Sequence, residues 1–196
     1  GQYSPTSPQG KVTKSSPLGS LEQPLNPLSV AIGAEATFVA RTIDTNIKHM
    51  AETLRRAAAH KGTSFVEIYQ NCVIFNDKAF GYATDSKTKV DNVLELENGK
   101  PMIFGKDREK GIRLNELNPE IVSLDAVATE DLLVHREDAP EPSLAYLLSR
   151  MRHPEFPEPI GVFRCIEKPS YEEALMAQID SAVQTRGAGQ LEQLFY

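Results

Sequence analysis

Tryptophan is missing from this chain of 196 residues, and cysteine occurs only twice, as Cys72 and Cys165. Two thiols are too few for the disulfide framework that staples small secreted domains, so a reducing cytoplasm is the expected compartment. Aromatic residues make up 7% of the chain, and its Lys and Arg are scattered among a larger number of acids, for a net charge of −6. Phosphate neutralisation needs clustered cations and single-strand binding needs stacking platforms, so no nucleic-acid partner is expected. No apolar run approaches the ~20 residues of a membrane-spanning helix, and no charged-then-apolar leader opens the sequence. The expectation is a soluble chain with no membrane partner.

The usual signatures of chemistry are also scarce. Four histidines are present. His49 and His60 fall on a helical pattern, and His135 and His153 fall near Arg, Glu and Pro in segments read as surface loops. No pair has metal-ligand spacing, and no Ser or Cys has a visible base. Gly33-Ala34-Glu35-Ala36 is not a dinucleotide fingerprint, and Gly81-Tyr82-Ala83-Thr84-Asp85-Ser86-Lys87-Thr88 lacks the ending of a phosphate loop. No catalytic side chain is assigned.

What is present is an ordinary globular composition, 40% apolar and 24% charged, enough for one domain with a core or a domain plus an appendage. From Gly1 to about Pro27 the chain is rich in Gly, Ser, Thr and Pro, which suits either a free linker or an ordered, partner-bound loop. Lys11 and Lys14 on it read as solvated, with an anion contact as the other possibility. The opening Gly1-Gln2-Tyr3-Ser4-Pro5-Thr6-Ser7-Pro8, with no initiator Met, reads as a loop cut from a larger enzyme.

Beyond it, Leu28 to Ala34 suits a short helix, and Thr37 to Arg41 a buried strand. Asp44 or Thr45 is placed to cap a helix along which Ile47, Met50, Leu54, Ala57 and Ala58 recur, with Gly62 as its left-handed terminator. Ser64 to Tyr69 is a second apolar strand. Strand, helix and strand in that order make a crossover unit, whose two strands should lie parallel in one sheet. Cys72 then falls just past the carboxyl end of a parallel strand, where open α/β sheets bind ligands.

The second half is less regular. Val93 to Leu96, Met102 to Phe104 and Ile112 to Leu114 are short strand candidates, with Asn98-Gly99 as a hairpin turn between the first two. The charge run Lys106-Asp107-Arg108-Glu109-Lys110 reads as a solvated turn. Ser143 is expected to cap one helix, and Ser170 with Glu173 to form a capping box on another. Gly161 to Ile166 reads as a strand in which Cys165 is structural.

Two segments together carry a resemblance. The Gly1-Gln2-Tyr3-Ser4-Pro5-Thr6 loop and the stretch from Ser64 to Asn76 around Cys72, with Gly161-Val162-Phe163-Arg164 near the end, resemble the β subunit of the 2-oxoacid:ferredoxin oxidoreductases, most nearly the 2-oxoglutarate type. The resemblance implies part of a thiamine-diphosphate-binding parallel-sheet α/β fold at residues 1–76, with an irregular α+β C-terminal extension at 77–196. It implies oxidative decarboxylation of a 2-oxoacid to acyl-CoA, with electrons passing through a [4Fe–4S] cluster to ferredoxin. Thiamine diphosphate and Mg²⁺ are the implied cofactors, and an α subunit, ferredoxin, the 2-oxoacid and coenzyme A the implied partners.

In that pattern Cys72 matches the last of four cluster ligands, thiolates being what hold such clusters, and Gly1 and Gln2 adjoin the cofactor loop. The upstream Cys-x-x-Cys pair, the third cysteine and the Gly-Asp-Gly element are missing here, so the piece alone is expected to be inactive. Two other readings stay open on the residues: a thiamine-dependent enzyme without redox chemistry, and a non-catalytic α/β interaction module.

Overall fold

A computed structural model describes residues 2–74 and 76–191. The expected crossover unit is present. Strand β1 (Phe38–Ile43) is buried along its whole length, helix α2 (Ile47–Ala59) follows it, and strand β2 (Ser64–Tyr69) pairs with β1 in parallel, Phe38 opposite Ser64 and Ile43 opposite Tyr69. The cap of α2 is Asn46 rather than Asp44 or Thr45, its side chain accepting the His49 amide at 3.3 Å. At the other end of α2, Gly62 has φ +130°, and a Cβ there would meet Thr37 Oγ1 at 2.5 Å. That hydroxyl is already engaged with His60 Nε2 at 2.8 Å.

The sheet is mixed rather than wholly parallel. Strand β3 (Val93–Leu96) and strand β7 (Glu158–Cys165) complete it in the order β2-β1-β7-β3. Strand β7 runs antiparallel to β1 and parallel to β3. A central strand reads as a continuous apolar run whichever way it points, so its direction had no signal in the sequence. A second, three-stranded antiparallel sheet holds β4 (Ile103–Phe104), β5 (Lys110–Asn115) and β6 (Asn118–Ser123). The turn at Asn98-Gly99 forms, with Gly99 at φ +74°, but it does not make the expected hairpin: β3 pairs with β7 and β4 with β5. The run from Lys106 to Glu109 is a turn between β4 and β5, with Glu109 accepting the Asp107 amide at 2.9 Å.

Alternation along β1 sorts its side chains onto two faces. Val39, with Phe163 and Leu94, packs on Leu28 and Ile32 of helix α1 (Pro27–Gly33) and on Leu148 of helix α5 (Ser143–Arg150). Phe38, Ala40 and Val162 form the other face, against Ala57 of α2. Ser143 begins α5 but does not cap it; Pro142 holds that position with no side-chain bond. The capping box at Ser170 and Glu173 forms as expected, opening helix α6 (Tyr171–Arg186), on which no side chain is buried. Two four-residue helices, α3 (Gly81–Thr84) and α4 (Lys89–Asn92), lead into β3.

His135 is not in a surface loop. It is 1% exposed, and its Nε2–H donates to the Val162 carbonyl at 2.7 Å, tying the segment after the small sheet to β7. Burial pushes its pKa below the ordinary 6.5, as it does for His49. The unfolded chain therefore binds protons that the folded chain refuses as pH falls through about 6.5, and stability present above that pH is lost below it. Stability should fall between pH 7 and 5, by at most about 1.4 kcal/mol per pH unit for each such histidine. H135Q, which cannot protonate, should flatten that slope in denaturant melts across the range.

Gly161 sits where β7 pairs with both Arg41 and Leu96. Its φ is +113°, and a Cβ would lie 2.9 Å from the Leu96 carbonyl oxygen. G161A combines a left-handed backbone with a backbone clash, and should cost about 1–3 kcal/mol in urea denaturation. A loss within error of zero would show that β7 can shift in the sheet.

Candidate functional site

At the carboxyl end of β1 and β2 an ion cluster lies on the α1 face of the sheet. Arg41 stands opposite Glu67 in the parallel register, and Glu158 enters from the start of β7. The guanidinium is buried: Nε donates to Glu67 at 2.7 Å, and Nη1 donates to Glu158 and, at 3.3 Å, to the Pro159 carbonyl. Glu158 in turn accepts the Tyr69 hydroxyl at 2.9 Å and the Tyr82 hydroxyl at 3.1 Å. The guanidinium carbon also lies 4.9 Å from the Tyr69 ring centre and 5.6 Å from that of Phe163.

Every buried charge here has partners, as the cost of desolvating an ion requires. Burial pushes both tyrosines above their ordinary pKa, against Arg41, with Glu158 adding to the push. They therefore remain protonated donors to the carboxylate.

Beside this cluster is a cleft of about 330 Å³, bounded by Thr6 and Leu25 of the opening loop, by Tyr69 and Arg41 of the sheet, and by Tyr82 and His153. Tyr82 and His153 stack at 4.3 Å and 7°, and Tyr69 and Phe80 at 4.1 Å and 14°. The Ser149 hydroxyl on the cleft wall is engaged with Ser29 and with the Tyr146 carbonyl, so it is no free nucleophile. The cleft offers aromatic walls, one imidazole and a rigid charged floor.

The opening segment is an ordered loop, not a linker. Gly10 and Ser20 pair through Gly10 N–H to Ser20 O at 2.8 Å, Ser20 N–H returns to Lys11 O at 3.1 Å, and Leu25 N–H reaches Pro5 O at 2.8 Å. Lys11 is half-buried, and its Nζ donates to Asn76 Oδ1 at 2.6 Å. That bond joins the opening loop to the turn that carries Cys72, an exposed residue three positions past the end of β2.

Cys165, by contrast, is opposite Phe38 at the far end of β1. Five strand rises, about 17 Å, separate the two ends of that strand, so the two cysteines cannot share a cluster. Burial raises the Cys165 thiol pKa, which suits a structural role. Among the described residues no group of three or more His, Cys, Asp or Glu is placed to hold a metal ion. The donor set at this edge thus fits one corner of a four-thiolate cluster, and it excludes a cluster held by this chain alone. Gln2 borders a hollow with Tyr3, Ser4, Pro5 and Glu22 that has no Lys or Arg on its wall. Those residues do not by themselves fit a diphosphate. Gly1 lies outside the described residues.

Arg41, Glu67, Glu158, Tyr69 and Tyr82 had not been singled out from the sequence, and His153, read as a surface-loop residue, is instead half-buried against Tyr82 on the cleft wall. A charge in each of two adjacent apolar strands, at matching register, was the available signal for Arg41 and Glu67. Nothing local pointed to Glu158, 117 positions from Arg41. E158Q removes one partner of a buried ion and should destabilise the fold by about 2–4 kcal/mol. E67Q should cost less, because that carboxylate is 18% exposed. Denaturant midpoints of the two variants check the order, and equal losses would remove Glu158 from the centre of the cluster.

Residues 1–68 match the family described as thiamine pyrophosphate enzyme, C-terminal TPP binding domain. The chain is 40% identical over 183 residues to the 2-oxoglutarate oxidoreductase subunit KorB of Mycobacterium tuberculosis, a match covering 93% of the chain and 49% of that relative. It is 40% identical over 77 residues to the β subunit of 2-oxoacid:ferredoxin oxidoreductase 1 of Aeropyrum pernix, covering 39% and 24%. Its fold superposes on a 2-oxoglutarate:ferredoxin oxidoreductase from Magnetococcus marinus, solved with 2-oxoglutarate, coenzyme A and succinyl-CoA bound, with a TM-score of 0.63 at 22% identity, covering all of this chain and 52% of that one. The chain spans about half the length of the Mycobacterium tuberculosis relative. By these matches the chain is similar to β subunits of the 2-oxoacid:ferredoxin oxidoreductases over about half of the Mycobacterium tuberculosis relative, and its first 68 residues to the thiamine pyrophosphate binding domain.

Proposed function

We propose that the chain is the C-terminal portion of a β subunit that, with an α subunit, oxidatively decarboxylates a 2-oxoacid to its acyl-CoA and passes the electrons to ferredoxin. The 2-oxoglutarate type is favoured by the name of the relative matched over 93% of the chain. The observation that carries the reading is the meeting of two segments at the carboxyl edge of the parallel pair, the loop with Gln2 to Thr6 and the turn with Cys72, through Lys11 and Asn76. Ligands of α/β sheets gather at that edge.

In this reading Cys72 is one of four thiolates on a [4Fe–4S] cluster, the other three coming from outside the chain. Thiamine diphosphate with Mg²⁺ supplies the electron sink for decarboxylation when bound by the whole subunit. Gln2 borders that cofactor only together with cationic and metal-binding groups from the rest of the subunit, since its own hollow has no Lys or Arg. The chain's own part is structural and positional. Arg41, Glu67, Glu158, Tyr69 and Tyr82 make a floor that cannot shift without unpairing a buried charge, and Tyr82 stacked on His153 walls the cleft above it. No helix among the described residues is long and apolar enough to cross a membrane, and a thiolate cluster ligand suits a reducing cytoplasm.

C72S in the full-length β subunit, assembled with its α partner, is the direct test. It should abolish the visible charge-transfer absorption of the cluster and the reduction of ferredoxin, while leaving thiamine diphosphate content unchanged. A C72S complex that keeps both signals would place the fourth ligand elsewhere, whereas an unmutated complex that lacks both would favour thiamine chemistry without redox transfer.

A further inference from the structure

Lys11 is fixed at both ends. Its N–H donates to Pro8 O at 3.2 Å and is within 3.2 Å of Ser20 Oγ, and its carbonyl accepts Ser20 N–H at 3.1 Å. The main chain is therefore held inside the opening loop. The side chain leaves that loop and crosses to Asn76 Oδ1. A surface lysine ordinarily keeps its rotamer freedom, and giving it up needs a compensating interaction, which the charge-assisted bond at 2.6 Å provides.

Asn76 is the internal brace of the turn. Its N–H donates to Cys72 O at 2.9 Å, and its carbonyl accepts Ala79 N–H at 3.3 Å. Asn71 closes the next layer, accepting Lys78 N–H at 2.8 Å and donating to Asp77 at 2.9 Å. The two ends of the turn are pinched together by Tyr69 stacked on Phe80. Bonds within the turn hold its shape. Of the hydrogen bonds described, the one from Lys11 reaches the turn from the opening loop, and the apolar side chains Val73 and Ile74 at its tip are 74% and 80% exposed.

We propose that Lys11 is a positioning residue for Cys72: by anchoring Asn76 it locks the cysteine turn onto the opening loop, and so presents the thiol to its cluster in a fixed place. The inference rests on the reading of Cys72 as a cluster ligand. It couples the two segments by which the family is recognised, so that the loop bordering the organic cofactor also sets where the cluster's last ligand stands.

The test uses the full-length αβ complex. K11M keeps the apolar stem and removes the donor; K11R keeps a donor. In K11M the amides of Asn76, Lys78 and Ala79 should exchange hydrogen about tenfold faster, and iron should leave to a chelator about tenfold faster, the factor expected from losing one charge-assisted bond. K11R should recover most of both, and N76A should reproduce K11M. Exchange and iron release unchanged in K11M would overturn the proposal. A C72S complex that retains its cluster would instead sink the ligand reading, and amide exchange in K11M would still report on whether Lys11 orders the turn.

Discussion

The buried guanidinium of Arg41 is the constraint around which this structure is organised. An ion so placed is tolerable only if its donors are met, and they are met by groups from three separate stretches: Glu67 on β2, Glu158 and Pro159 on β7, and through Glu158 the hydroxyls of Tyr69 and Tyr82. A displacement of β7 along β1 would unpair a charge rather than trade one apolar contact for another. Apolar strands tolerate small slips; an ion pair with two tyrosine donors does not. The register of β7 is thereby specified chemically where the pattern of hydrophobic residues specifies it poorly.

The Arg41 cluster sits at one end of the sheet. The ions and tyrosines around Arg41 gather at the carboxyl end of β1 and β2, while the opposite end of the sheet holds Phe38, His60 and Cys165 beside a second buried cation, Arg164, which donates to Glu35 and to the Pro140 carbonyl. The floor of the cleft, the stacked Tyr82 and His153, and the Cys72 turn therefore all depend on the same cluster.

Local features were legible in the sequence and distant ones were not. The crossover of β1, α2 and β2 and the capping box at Ser170 are set by periodicity and by residues three or four positions apart, and these appear where they were expected. Three of the errors share one cause, a partner far along the chain. His135 looked like a loop residue because its partner, the Val162 carbonyl, is 27 positions away. The Asn98-Gly99 turn is real, but which strands pair around it is decided by β7, far along the chain. Lys11 looked solvated because Asn76 is 65 positions off. Ser143 failed as a cap because Pro142, with its φ near −77°, already supplied the entry to the helix. Of the candidate site, the sequence carried the two motif segments and none of the ion cluster that supports them.

In the proposed role, a chain that contributes one ligand to a cluster faces a particular difficulty. Three ligands from elsewhere can gather the metal, but the fourth must arrive already in place, since each degree of freedom left to it weakens the closed cluster. Cys165 cannot deputise, being at the other end of β1. The turn around Cys72 answers the difficulty in layers: a stacked aromatic pair at its base, amide bonds within it, and one lysine from the opening loop across it. Each layer removes a separate motion, respectively opening, unwinding and swinging. An exposed thiol at the end of a β-strand is common; an exposed thiol on a turn braced against all three is what a preorganised ligand requires.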